Sequence, residues 1–330
     1  VSDEAETYRA ATEGLALFER GRRTRLVVKG RAPAQMLDGI LTGTLPAAPA
    51  TVDEGVLGGT ATYHAVLTPK GKMISDLWAL RLGEEEEEGF LLDVPEAGGP
   101  PLREHFSKFL PPRLAGVDDV SGSTDSLAVV GPGSGEALSR LALGLRVDAP
   151  DLSALEEGAW RCAAADASDG LIVMRSADVW PEAFTVVGPS GAVGALRQAL
   201  DAAGAVAGDG HAWTVLRVEA GRPAFGADMD DGTIPVEAGI HERAIDYAKG
   251  CYTGQEVIVR IRDRGHVNRQ LRQVMLGDVD VPEAGAELFA EGSEKPVGRV
   301  TTAVRSVRFG QTVALAYVRR GVEGDVRVGG

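Results

Sequence analysis

Lys249–Arg269 reads KGCYTGQEVIVRIRDRGHVNR, the densest run of chemically versatile residues in the chain. Gly250 and Gly254 bracket Cys251 and permit tight turns that present a side chain rather than bury it. Lys249 stands two residues before the cysteine, and a nearby ammonium favours the thiolate, the reactive form. The same stretch also suits an inert thiol, because free cysteine is among the most buried residue types. One cysteine builds neither a zinc site nor a cluster on its own, so no resident metal is expected. Further along, Arg260, Arg262, Arg264 and Arg269 crowd around His266 and Asn268. From Lys249 to Arg272 six Lys/Arg stand against two acids, Glu256 and Asp263, a local excess of four positive charges. Such an island suits either an anion site or the charged face of a strand and hairpin.

Upstream, Arg217 and Glu219 alternate in LRVEAG, which predicts a strand-like run ending at Gly221 with both side chains on one face. A carboxylate at a strand end beside a pocket accepts two parallel hydrogen bonds from a planar N–H pair. The alternative is an Arg–Glu surface pair of small energetic weight.

The rest of the chain supplies the frame. Residues 5–20 predict an opening amphipathic helix, Thr24–Lys29 a strand and Ala32–Leu41 a helix closed by LTGTLP. Thr60–Leu67 and Lys72–Leu82 alternate around Thr68-Pro69-Lys70-Gly71, a hairpin signal. Glu84–Glu88 predicts a solvated loop before a strand at Phe90–Val94, and residues 101–116 predict a helix. An internal echo follows: LAVVGP at Leu127–Pro132 and FTVVGP at Phe184–Pro189 each lead into a helical run, which suggests two related α+β subdomains. Gly131-Pro132-Gly133 resembles a phosphate loop only in part, since Glu136 occupies the third glycine position and repels a phosphate; it predicts a structural turn. Beyond residue 267, short alternating strands between tight turns predict a small antiparallel barrel.

Composition bounds the function. A chain of 330 residues exceeds one ordinary core, and 44% hydrophobic with 25% charged residues is globular. A net charge of −14 disfavours strong nucleic-acid binding, no window is apolar enough for a membrane span, and the polar start VSDEAETYRAATEG carries no basic-then-apolar leader. Two cysteines far apart, Cys162 and Cys251, form no disulfide framework and fit a reducing, cytoplasmic setting.

The octet KGCYTGQE together with VIVRIRDRGHVNR resembles the signature of the YgfZ-like branch of the glycine-cleavage T-protein superfamily. Arg217–Pro223, Thr233–Gly239, and Tyr63 thirteen residues before Asp76 are similar to the wider superfamily. The resemblance implies an α+β fold of two lobes with a C-terminal antiparallel β-barrel around a central folate pocket. It divides the chain into a folate-binding module at 1–250, a signature connector at 251–266 and a barrel at 267–330. It implies tetrahydrofolate or a derivative as ligand, with Glu219 receiving the pterin ring, Arg217 beside it, Tyr63 lining the pocket and Asp76 near the reactive nitrogens. Arg262 and Arg264 are then expected to meet a polyglutamate tail. The function implied is an accessory role in assembly or repair of iron–sulfur enzymes, including those that modify tRNA, with Cys251 as the thiol and Lys249 tuning it. The alternative is a folate-dependent aminomethyltransferase or related one-carbon transferase or demethylase. Glycine-cleavage aminomethyltransferases usually carry K-G-D-F-x-G-R-E, so Cys251 in place of the Asp and Gln255 in place of the Arg remove a fixed cation from the active-site edge and tell against aminomethyl transfer from a lipoyl-bound donor, while Asp76 stands where transferases keep their catalytic aspartate.

Overall fold

In the computed structural model, which describes residues 3–20, 23–83, 89–144, 152–164 and 166–329, three sheets carry the chain. The glutamate run at 84–88 lies outside the described residues. One lobe is built on a mixed sheet of eight strands: β1 (Ala16–Glu19), β3 (Ala50–Asp53), β4 (Val56–Thr60), β9 (Thr124–Val130), β10 (Ala159–Cys162), β11 (Ile172–Ser176), β12 (Ala183–Pro189) and β13 (Val206–Gly208). Their order is β13-β1-β9-β12-β11-β10-β4-β3, with β1 and β13 parallel and every other pair antiparallel. The other lobe is an antiparallel sheet of β2 (Thr24–Lys29), β5 (Thr62–Leu67), β6 (Met73–Arg81), β7 (Gly89–Val94) and β8 (Gly116–Asp119), ordered β5-β6-β7-β2-β8. The C-terminal sheet joins β14 (Arg269–Gly277), β15 (Glu287–Ala290), β16 (Gly298–Arg305), β17 (Thr312–Arg319) and β18 (Val326–Val328) in the order β14-β17-β16-β15-β18, all antiparallel. The expected α+β class with a C-terminal antiparallel barrel-type sheet is therefore present.

The helices are α1 (Asp3–Glu13), α2 (Pro33–Asp38), α3 (Gly99–Phe109), α4 (Ser134–Leu141), α5 (Ser190–Ala202), α6 (Gly210–Glu219), α7 (His241–Ala244) and α8 (Gln255–Arg264). None of the described helices is long and apolar enough to cross a membrane.

Several expectations change in three dimensions. The opening helix stops at Glu13, because Ala16, Leu17 and Phe18 are buried in succession as β1, between β13 and β9. A strand covered on both faces reads as a continuous apolar run and borrows the look of a helix end. The echoed segments do not seed separate subdomains: β9 and β12 are neighbours in one sheet, with Leu127 opposite Val186. Arg217 and Glu219 lie on a helix, not a strand. The Asp209 side chain accepts from Ala212 N at 2.7 Å and starts α6. The basic island at 260–264 is likewise the last part of α8, not a strand and hairpin. Gly131 is a structural turn: at φ +121° an added Cβ would lie 2.4 Å from the Gly14 carbonyl oxygen.

Packing between the two lobes positions the site. Trp160, Ile172 and Met174 of the eight-stranded sheet share one core with Tyr63, Ala65 and Trp78 of the five-stranded one. Fully burying each large apolar side chain contributes about 1.5–3 kcal/mol, so this seam holds the lobes in register. Tyr63 lies opposite Trp78 in the β5–β6 ladder, and Asp76 is two residues from Trp78. Strand alternation therefore puts Tyr63, Asp76 and Trp78 on one face.

Candidate functional site

That face borders a central cavity of about 600 Å³. The strands deliver Tyr63, Asp76 and Trp78; Asp178 and Arg243 come from loop and short helix, and Arg20 and Arg23 flank the break between β1 and β2. Asp76 is 6% exposed and accepts the Tyr63 hydroxyl on Oδ2 at 2.5 Å. Its Oδ1 is buried without a hydrogen-bond partner among the described residues. Burial raises the Asp76 pKa, with the Tyr63 hydrogen bond and the Arg23 charge pulling the other way. Tyr63 is pushed well above the usual phenol range, first by burial and then by Asp76.

Asp178 is the counterpart. Burial alone raises its pKa, but Arg20, Arg243 and Arg23 together outweigh that and hold it at about 2. Arg20 Nη1 donates to Asp178 Oδ2 at 3.0 Å, and Arg243 Nη2 stands 4.0 Å from Asp178 Oδ1. Arg243 also pairs with Glu157 and stacks its guanidinium 4.5 Å from the centre of the Tyr63 ring. One cavity thus contains a carboxyl whose pKa is raised, a carboxylate whose pKa is lowered to about 2 and several guanidinium groups. Sequence reasoning missed Asp178, Arg20, Arg23, Arg222 and Arg243, since each is a single charge in its own local context and no spacing relates them.

The remaining expected residues are distributed elsewhere. Arg217 lines the cavity but is committed structurally: Nη1 donates to Asp228 Oδ2 at 2.5 Å and to the Arg222 carbonyl at 2.7 Å. Asp228 in turn accepts from Thr301 and Thr302 of the C-terminal sheet at 2.5 and 2.7 Å. Glu219 is 3% exposed and does not line the cavity. Its carboxylate receives Tyr8 Oη at 2.8 Å, Ser306 Oγ at 2.6 Å and Arg308 N at 3.1 Å, so both oxygens are engaged.

The octet also stands apart, as no residue from Lys249 to Glu256 lines the central cavity. Cys251 is exposed. Lys249 does not serve it: the ammonium donates to the carbonyls of Asp38, Leu41 and Gly43 at 2.9, 2.8 and 2.9 Å, and pairs with the Asp38 carboxylate at 3.0 Å. All three of its donors go to carbonyls at the end of α2 and in the turn after it. Gln255 accepts weakly from Tyr252 N at 3.4 Å and, like the rest of the octet, does not line the central cavity. Arg262 borders a separate cavity and Arg264 lines neither of the two. Cys162 is buried, and burial pushes its thiol up to about 11. Among the described residues no cluster of His, Cys, Asp or Glu is arranged to hold a metal ion.

Comparison with known proteins agrees with the fold. The family described as GCVT N-terminal domain matches residues 2–249, and the glycine cleavage T-protein C-terminal barrel domain matches residues 269–328. An aminomethyltransferase of Corynebacterium jeikeium is 29% identical over 97% of this chain and 82% of its own length. One of Rubrobacter xylanophilus is 31% identical over 84% of this chain and 71% of its own length. The crystal structure of glycine cleavage system aminomethyltransferase T from Bartonella henselae superposes with a TM-score of 0.79 at 20% identity, covering 98% of this chain and 84% of that one. With both domains matched in order, a shared core and a cavity between the lobes, the chain belongs to the glycine cleavage T-protein family.

Proposed function

We propose that this protein binds a tetrahydrofolate in the central cavity and transfers a one-carbon unit there, in a reaction of the aminomethyltransferase type. The observation that carries this reading is Asp76, a carboxyl on the wall of a cavity of about 600 Å³ whose buried Oδ1 has no hydrogen-bond partner among the described residues. Buried polar atoms are almost always satisfied, so an orphan beside a cavity marks a place where a small ligand-side movement completes the set. The relatives named aminomethyltransferase support the same class of reaction.

The residues suit the ligand. The pterin edge offers adjacent N–H donors, and Asp178 is a carboxylate held ionised on the cavity wall that suits them, whereas Glu219 does not line the cavity. The guanidinium groups suit the carboxylates of a folate tail. When bound, tetrahydrofolate supplies the amine nitrogens that accept the one-carbon unit. Asp76 takes or returns a proton at Oδ1, since its raised pKa brings it closer to neutrality than an ordinary aspartate. Tyr63 holds Oδ2 and so fixes the direction in which Oδ1 points.

The direct test supplies glycine-cleavage partner proteins and tetrahydrofolate, and follows methylenetetrahydrofolate. Product formation that disappears in Asp76→Asn and persists in Cys251→Ala supports the proposal. Folate binding by calorimetry with no product in the complete system rejects transfer while keeping the ligand. A second reading, the accessory role toward iron–sulfur enzymes, is favoured by the exposure of Cys251. Failing iron–sulfur enzymes in cells carrying Cys251→Ala, with transfer intact, would select it.

A further inference from the structure

We infer that the basic segment 260–269 serves a second small-molecule site, which takes a phosphate-bearing ligand with a flat ring. A cavity of about 470 Å³ lies between α8, the start of β14 and the segment around α7, and shares no lining residue with the central cavity. Two guanidinium groups border it, Arg262 and Arg320. Arg320 has no side-chain ion pair among the described residues. Arg262 pairs only with its exposed neighbour Asp263, at 2.6 Å, an arrangement of small net value that leaves it free to engage a stronger anion. His241 and His266 add ring nitrogens to the same lining, and His241 Nδ1 is buried without a partner among the described residues.

The shape of the chemistry selects the ligand. A guanidinium suits phosphate oxygens in bidentate fashion, and two of them give a natural anchor for a terminal phosphate. Tyr247 lines the same cavity and its ring centre lies 5.1 Å from the Arg262 guanidinium, so a planar ring anchored by that guanidinium meets an aromatic neighbour. Val236, Ile261 and Val267 furnish apolar wall beneath such a ring. Glu242, the carboxylate on the lining, offers an acceptor to a ring amine. The volume lies within the range of small-ligand pockets. Thus Ile261, Arg262, His266 and Val267, which the central site leaves without a role, converge on one place.

The test is calorimetric titration of the full chain with adenosine 5′-monophosphate, inorganic phosphate and adenosine, each with and without tetrahydrofolate. The expected result is saturable binding of the monophosphate, tighter than either half, unaffected by tetrahydrofolate. Arg262→Gln and Arg320→Gln are each expected to weaken it about tenfold while tetrahydrofolate affinity stays constant. Retained tetrahydrofolate affinity also shows that these variants are folded. The inference is overturned by absence of saturation in the low-millimolar range, by equal binding of phosphate and monophosphate, or by indifference to both substitutions. Competition with tetrahydrofolate also overturns it, because the binding then belongs to the central cavity. Failure of the proposed transfer reaction leaves all of these outcomes readable.

Discussion

Asp76 and Glu219 are both buried carboxylates in the N-terminal module, at 6% and 3% exposure, yet they are kept in opposite ways. Glu219 is enclosed by a hydroxyl from α1, a hydroxyl near the end of β16 and a backbone N–H, so both of its oxygens are hydrogen-bonded by the protein. Asp76 has one hydrogen-bonded oxygen and one buried oxygen with no partner among the described residues, in a residue that lines a cavity. Leaving a buried polar atom unpaired costs about 1–3 kcal/mol, and a fold retains that cost where something else completes the set. Sequence pattern cannot separate the two, since the difference lies in their partners.

The largest effect expected from this contrast is catalytic. Asp76→Asn preserves shape and removes proton exchange, and should lower kcat about 10²–10⁴-fold in the transfer assay while the thermal midpoint holds or rises. The pH dependence has a defined sign. A carboxyl whose native pKa is raised keeps its proton longer in the native state, so stability falls as pH rises from the ordinary 3.8 through the raised value. Denaturant titrations across that window should show the slope in the wild type and its loss in Asp76→Asn. An unchanged kcat would place the reactive carboxyl elsewhere.

Glu219→Ala should do the reverse. It strands the Tyr8 and Ser306 hydroxyls and the Arg308 amide, with an expected loss of about 3–5 kcal/mol in chemical denaturation. Folate affinity of the folded fraction should stay near wild type; its abolition in a stable variant would return Glu219 to the ligand. Asp178 lies between the two extremes. Its depressed pKa gives stability that is present above 3.8 and lost as pH falls toward about 2. Asp178→Asn should flatten that acid limb, cost about 3 kcal/mol at neutral pH by unpairing Arg20, and weaken folate binding as well. The smallest effect belongs to Cys251→Ala, an exposed change expected to stay within about 0.5 kcal/mol of wild type, with transfer intact.

Much of the frame was legible in the residues. β2 coincides with its predicted span, and the β5–β6 hairpin follows from alternation around Pro69-Lys70-Gly71, with Gly71 at φ +72°. The Tyr63/Asp76 pair was expected only from the family resemblance, and the β5–β6 register is what carries the two to one face. Errors arose where two periodicities share a short sample. Arg-Val-Glu alternates like a strand, yet Asp209 three residues before Ala212 is an N-cap signal that extends the helix through it. The site electrostatics had no local signature, since Arg20, Asp178 and Arg243 meet only after the eight-stranded sheet and α7 pack together. Lys249 next to Cys251 pointed to a tuned thiol, and the side chain instead turns away to cap α2.

That cap bears on how the protein assembles. The Lys249 ammonium and the carbonyls it binds are separated by 206–211 residues along the chain, so it closes a loop comprising most of the polypeptide. Contacts of such long range are formed late and favour slow folding. During synthesis, the turn at 38–43 emerges long before its cation does and stays open until the chain has reached the signature octet. Any truncation before residue 249 leaves those carbonyls without their ammonium, and a nascent chain stalled there exposes an incomplete lobe to aggregation.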